Sequence, residues 1–255
     1  MEVLHQNIKL SVLISAYFVI SIQILLAKDD SLNLVPNGSF NQVENCYTDD
    51  ETFEFINDWY IPNTASTDYF LKCRNKYGLS RTIPYSHKLG YQDCLDEDGY
   101  VGFLAYKSNM KHSPKDYREY LAVQLKEPLK KEKKYILSAY FNLADTSVYA
   151  VYPISFGFTN HRYYHPELIL NYIPIDSLTG SVDVVDYFIE DKVNWVKCEK
   201  EYTAKGGEQY LIIGNFKPDC ESQKKKVANY KTKNKEVLSY YFIDLVSIIE
   251  KKGIK

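Results

Sequence analysis

Alternation is the property that most restricts this chain. From Tyr135 to Leu143 one side carries Tyr135, Leu137, Ala139, Phe141 and Leu143, and the other Ile136, Ser138, Tyr140 and Asn142. A period of two marks a strand that buries one face strongly. Residues 120–125 repeat it, with Leu121, Val123 and Leu125 together, while 209–216 and 238–249 form a shorter and a longer apolar run. Turn signals fall between them: Pro36, Asn37 and Gly38; Asp98 and Gly99; Thr179 and Gly180; Gly206 and Gly207. No stretch sustains a helical period, and no repeat of fixed length occurs. Several strands with few helices predict an all-β sandwich or barrel. The 24 tyrosines and 12 phenylalanines fit, because a flat amphipathic ring lies well on a half-buried pleated face.

Charge and spacing narrow the function classes. Lys and Arg number 31 against 33 Asp and Glu, so the net charge of −2 gives no broad basic surface for nucleic acid. A hydrophobic share of 45% excludes wholesale disorder. No Pro/Ser/Gly-rich hinge divides residues 30–250, so residues 28–255 read as one domain. Segments 74–98 and 159–192 read as long ordered loops, where binding residues collect. The basic run 224–235 reads as a solvated hairpin loop, with a grip on an anionic polymer as the weaker alternative.

Residues 10–27 are uncharged and are followed by Lys28, Asp29 and Asp30. That layout gives residues 1–27 as a secretory signal peptide or an uncleaved N-terminal anchor. Either exports the remainder, and a membrane is a partner only in the second case. All five cysteines, Cys46, Cys73, Cys94, Cys198 and Cys220, then meet a compartment that permits disulfides. The odd number leaves at least one thiol free or paired between chains. Cys46 with Cys73 is the preferred bridge, since both lie in the loop-rich first third. Cys198 falls in a predicted strand as a small buried hydrophobe.

Blocks along the chain now carry a resemblance. LVPNGSF at 34–40 is followed by Trp195, YTAKGGE at 202–208, QYLIIGNF at 209–216 and YYFIDLVSI at 240–248. Intermediate blocks run from Trp59 to Pro62, Thr67 to Phe70, Gly90 to Gln92, Tyr117 to Leu121 and Leu143 to Ser147. Together they resemble the galactose-binding-like jelly rolls of carbohydrate-binding modules. More narrowly, they resemble exported Bacteroidetes envelope proteins that carry such a domain, often beside an outer-membrane-protein-A type peptidoglycan-binding domain. The resemblance covers residues 34–249, and with six residues after Ile249 that further domain is not expected here. It implies a jelly-roll β-sandwich in the periplasm, the outer membrane or on the cell surface, with a glycan or an envelope protein as partner. In carbohydrate-binding relatives a structural calcium joins the first and last strands. Here Asn41 and the Asp244, Leu245 pair stand where those relatives place acids.

Asp244 is expected to share a strand face with Phe242, Val246 and Ile248, beside the apolar Ile243 and Leu245, so its carboxylate needs a cation or several donors. Calcium with the oxygens of Asn37, Asn41 and Asp244 is one option. Backbone N–H groups of the opening turn, or an arginine, are the other. A catalytic set is not legible: no G-x-S-x-G, H-E-x-x-H or P-loop occurs. His161 and His165 are four apart, but in a segment that ends in Pro166 and lacks a helical pattern. Arg118 and Glu119 point to opposite faces of a strand and do not act at one site. The chain therefore reads as non-enzymatic, and a polysaccharide hydrolase using Glu119 or Asp145 is the remotest alternative. Glycan binding needs aromatic faces with polar partners. Trp59, Tyr60, Tyr69, Tyr106, Tyr149 and Tyr152 supply the first, and Asp68, Arg118, Glu119, Asp145 and Ser147 the second. A structural or protein-interaction module is the competing reading.

Overall fold

The computed structural model describes residues 32–43, 56–77, 81–86, 89–107, 116–164, 172–227 and 238–252. Residues 1–31, hence the whole expected signal or anchor, lie outside them. Two five-stranded antiparallel sheets make up the body. The first has the order β1 (Trp59–Tyr60), β6 (Leu121–Gln124), β12 (Tyr210–Gly214), β9 (Ile154–Thr159), β10 (Gly180–Val185). The second has the order β11 (Val196–Thr203), β7 (Lys134–Leu143), β14 (Leu238–Glu250), β5 (Gly99–Lys107), β2 (Asp68–Leu71). From β5 onward the chain passes between sheets at nearly every connection, which is the wiring of a jelly roll. Two small pairs accompany the body: β3 (Tyr85–Ser86) with β4 (Gly90–Tyr91), and β13 (Gln223–Lys226) with β8 (Tyr149–Tyr152).

The expected alternation builds the core. Tyr135, Leu137, Ala139, Phe141 and Leu143 of β7 meet Leu121 and Val123 of β6, Phe156 and Phe158 of β9, and Leu211 and Ile213 of β12 between the sheets. Burying each such aliphatic or aromatic side chain contributes about 1.5–3 kcal/mol. Both sheets are also covered on their outer faces. Tyr120, Ala122, Ile212 and Phe216 form one outer cluster with Ile173, and Phe70, Tyr100, Tyr240 and Phe242 the other with Ile83.

The opening segment lies along the last strand, as the sequence order suggests. The Leu34 N–H donates to the Ile248 carbonyl at 2.9 Å, and the Val246 N–H to that of Gly38 at 2.8 Å. One expectation about that strand changes. Asp244 does not share a face with Val246 and Ile248, because the register of β14 against β7 shifts between Asp244 and Ser247. Tyr241 and Ile243 face the core before this bulge, Val246 and Ile248 after it, and Leu245 takes a φ of 50°. Two other segments are more ordered than loops: 74–98 holds β3 and β4, and 159–192 holds β10. The start of the basic run is strand β13, paired with β8, while residues 228–237 fall outside the described residues. Cys94, Cys198 and Cys220 are free thiols, with Cys198 buried in β11 as expected. Cys46 lies outside the described residues.

Candidate functional site

Most of the polar and aromatic residues singled out in the sequence are committed to holding the sandwich together. Tyr69 is 1% exposed and donates its phenol to the Phe40 carbonyl at 2.5 Å. Asp68 receives Nε and Nη2 of Arg81, both at 2.6 Å, and the Tyr240 hydroxyl at 2.6 Å. Arg118, fully buried, donates to the carbonyls of Tyr117 and Lys217 and pairs with Asp219 at 2.9 Å. Glu119 accepts from the Leu104 N–H at 2.8 Å, the Tyr117 hydroxyl at 2.9 Å and the Ser66 hydroxyl at 3.3 Å. Burial, and next the charge of Asp68, pushes the Glu119 carboxyl up to about 8. Arg118 and Glu119 thus diverge, although they lie in the segment before β6 and not within a strand as expected. Ser147 is buried and exchanges hydrogen bonds with the backbone of Tyr240. Tyr149 is half-buried, edge-on to Tyr106. Asp145 alone of the polar set is exposed, and it accepts the Tyr91 N–H at 2.9 Å. His161 bonds Asn160, and His165 lies outside the described residues.

The three residues offered for calcium do not fit one. Asn37 Oδ1 accepts the Gln42 N–H, and Asn41 Oδ1 those of Asp98 and Gly99, all at 3.0 Å. Asp244 accepts the N–H groups of Leu245 at 2.7 Å and Leu95 at 3.3 Å. These oxygens face donors, which occupy the directions a cation would need. Burial raises the Asp244 carboxyl well above the usual range, favouring the neutral form further. Among the described residues its donors come from its own strand and the turn before β5, neither from the opening turn nor from an arginine.

Asn37 has a different task, and it builds the site. At a φ of 46°, which asparagine tolerates well, its amide nitrogen reaches the carbonyls of Gln42 and Asn57, both at 3.0 Å. Its own carbonyl receives the Trp59 indole N–H at 2.9 Å, while the Trp59 ring packs on Phe40 at 4.8 Å. One side chain thereby clamps the opening turn to the segment that enters β1. Above the clamp is a groove of about 600 Å³ lined by Gln42, Ile56, Asn57, Asp58, Trp59, Tyr60 and Arg162. The Arg162 guanidinium lies over the Tyr60 ring at 4.1 Å from its centroid. Burial pushes the Tyr60 phenol up to about 12, with Arg162 pulling it down. The side chains of Gln42, Asn57, Asp58 and Arg162 have no hydrogen-bond or ion-pair partner among the described residues.

A second surface feature lies at the β3–β4 hairpin. Tyr85 and Tyr91 are register partners there, 52% and 57% exposed. Directly opposite residues of an antiparallel pair project on the same side. The hairpin is fastened by Asp145 at the Tyr91 N–H, by the Gln92 N–H to the Pro84 carbonyl at 2.7 Å, and by the Trp195 indole to the Asp93 carbonyl at 2.9 Å. Sequence reasoning found Trp59, Tyr60 and Asn37 near the groove. It missed Asp58, Arg162 and the tyrosine pair, whose only signal was local polarity or aromaticity shared with dozens of other residues.

No family model matches the chain, and no curated protein does. Among solved structures it is similar to the CBM22-1 xylan-binding domain from Paenibacillus barcinonensis, at 10% identity and a TM-score of 0.38 over 77% of this chain and 87% of that one. It is also similar to a CBM4 structure, at 13% identity and a TM-score of 0.33 over 85% and 99%. The K2 cleaved adhesin domain of Lys-gingipain is similar at 11% identity and a TM-score of 0.35 over 83% and 97%.

Proposed function

We propose that this protein is a non-catalytic glycan-binding module of the cell envelope, exported by its N-terminal segment and stapled by a Cys46–Cys73 bridge. One observation carries the reading: four polar side chains without a partner among the described residues share a groove with Tyr60, over backbone that Asn37 fixes. A saccharide offers hydroxyls to such groups and C–H faces to the aromatic wall. The blocks that resemble carbohydrate-binding modules agree with it. The test is binding to a glycan array by the wild type and by a variant combining Asp58→Ala with Arg162→Ala. Loss of charge-assisted hydrogen bonds predicts roughly tenfold weaker binding or more per contact. Equal binding by that variant, or none to any glycan by the wild type, refutes the groove. Trp59→Ala and Tyr69→Ala test the fold instead, because both side chains are buried.

The exposed tyrosine pair favours a second reading, a protein-interaction module docking through the hairpin. Cross-linked partners that survive glycan removal and vanish in a Tyr85→Ser, Tyr91→Ser variant would support it.

A further inference from the structure

Arg162 stands apart from the other arginines of the chain. Arg74 donates to the Tyr69 carbonyl, Arg81 grips Asp68 and Arg118 pairs with Asp219. Arg162 has the Tyr60 ring beneath it and no acceptor among the described residues. We propose that the groove selects acidic saccharides, Arg162 taking the carboxylate of a uronate unit while Asp58, Asn57 and Gln42 take its hydroxyls. This rests on the glycan reading of the same groove.

The chemistry follows from shape and charge. A guanidinium is a planar fork that matches a planar carboxylate through two parallel N–H bonds. The Tyr60 ring 4.1 Å beneath holds the guanidinium in place, so less freedom is lost when a ligand arrives. Arg162 itself is exposed, so the contact is made at the surface and is screened by salt. Asp58 lines the same groove without pairing with Arg162, so the groove has a positive and a negative pole. A free anion such as acetate gains from the first pole and is repelled by the second. A uronate satisfies both, presenting its carboxylate to one and hydroxyl donors to the other. The amides of Asn57 and Gln42 donate and accept, which suits hydroxyls. The volume, about 600 Å³, lies in the range of ordinary small-ligand sites.

The experiment measures binding of the full mature chain to polygalacturonate, to the same polymer with its carboxyls reduced, to a sulfated polysaccharide and to neutral glucans. The expected result is preference for polygalacturonate, weakened at least tenfold by carboxyl reduction and by Arg162→Ala, and partly retained in Arg162→Lys. Added salt weakens it, and Asp58→Asn, which keeps an acceptor but loses its charge, weakens binding less than Arg162→Ala does. Equal binding of the reduced polymer, preference for the sulfated one, or wild-type binding by Arg162→Ala overturns the proposal. Groove-dependent binding of neutral glucans alone sinks acid selection but leaves the glycan reading standing. Binding to no saccharide sinks both.

Discussion

Glu119 has three donors around it and still lies in surroundings that favour its protonated form. Its folded-state value of about 8 exceeds the ordinary 4.5, so between these the native state holds a proton that the unfolded chain has released. The stabilisation is complete below 4.5 and is lost as pH rises through about 8, a change on the order of a few kcal/mol. Glu119→Gln should remove that slope. Its carbonyl would accept the Leu104 N–H, and its amide would donate to the Tyr117 and Ser66 hydroxyls, which accept as readily as they donate. The expected outcome is equal melting temperature near pH 5 and a more stable variant near pH 9. A wild type whose melting temperature is flat between those values, or a variant weaker at pH 9, would refute it. The sequence offered Glu119, Arg118 and Asp68 as polar partners for a glycan. It did not show who answers them. Asp68 meets Tyr240 across 172 positions, and Arg118 meets Ser222 across 104, distances that local patterning does not encode.

Strands were legible wherever one face is buried, since alternation is a direct record of two unlike surroundings. The ten-residue β7 and the four-residue β6 follow it through. Short strands escaped, because two residues cannot alternate in a way that stands out from chance, as in β1, β3 and β4. The bulge in β14 escaped for a related reason: a run apolar on both faces hides the change of phase. The β3–β4 hairpin rests on one glycine. Gly90 has a φ of 111°, and a Cβ there would sit 2.3 Å from Asp145 Oδ2. Gly90→Ala therefore has to give up the Asp145 bond to Tyr91 or the backbone conformation. With two residues per strand, the hairpin should loosen on its own while the two large sheets persist. The prediction is faster hydrogen exchange at the Tyr91 and Gln92 amides, at least tenfold, with the global melting temperature little changed. Unaltered exchange at both amides would show that Asp145 does not hold the hairpin.

At the scale of the molecule, the sandwich is closed by the segment that precedes its first strand. Residues 34–40 tie to β14 through Leu34 and Gly38, and the Lys126 N–H reaches the Leu34 carbonyl at 2.9 Å from beyond β6. The same segment places Val35 and Phe40 in the core at 1% and 0% exposure, and Phe40 receives both the Trp59 ring and the Tyr69 phenol. A jelly roll assembled from strands distant in sequence has few local contacts to fall back on, so its ends act together. The groove depends on the same closure, because Asn37 both lies in the opening turn and holds the carbonyls of Gln42 and Asn57, two of the residues that line it. This is why the site was only half legible: Asn37 and Trp59 belong to recognisable blocks, whereas Arg162 arrives from a segment with no pattern of its own. A chain beginning at Lys28 should fold with a single cooperative transition and bind as the full-length chain does. A chain beginning at Asn41 loses Phe40 from the core, at about 3–5 kcal/mol for that side chain alone, and loses the clamp with it. Urea unfolding followed by tryptophan fluorescence reports both, since Trp59 rests on the deleted residues and Trp195 does not share that contact. If the shorter chain kept its midpoint and its glycan binding, the opening segment would be an ornament on a sandwich that closes without it, and the groove would have to be built by other residues.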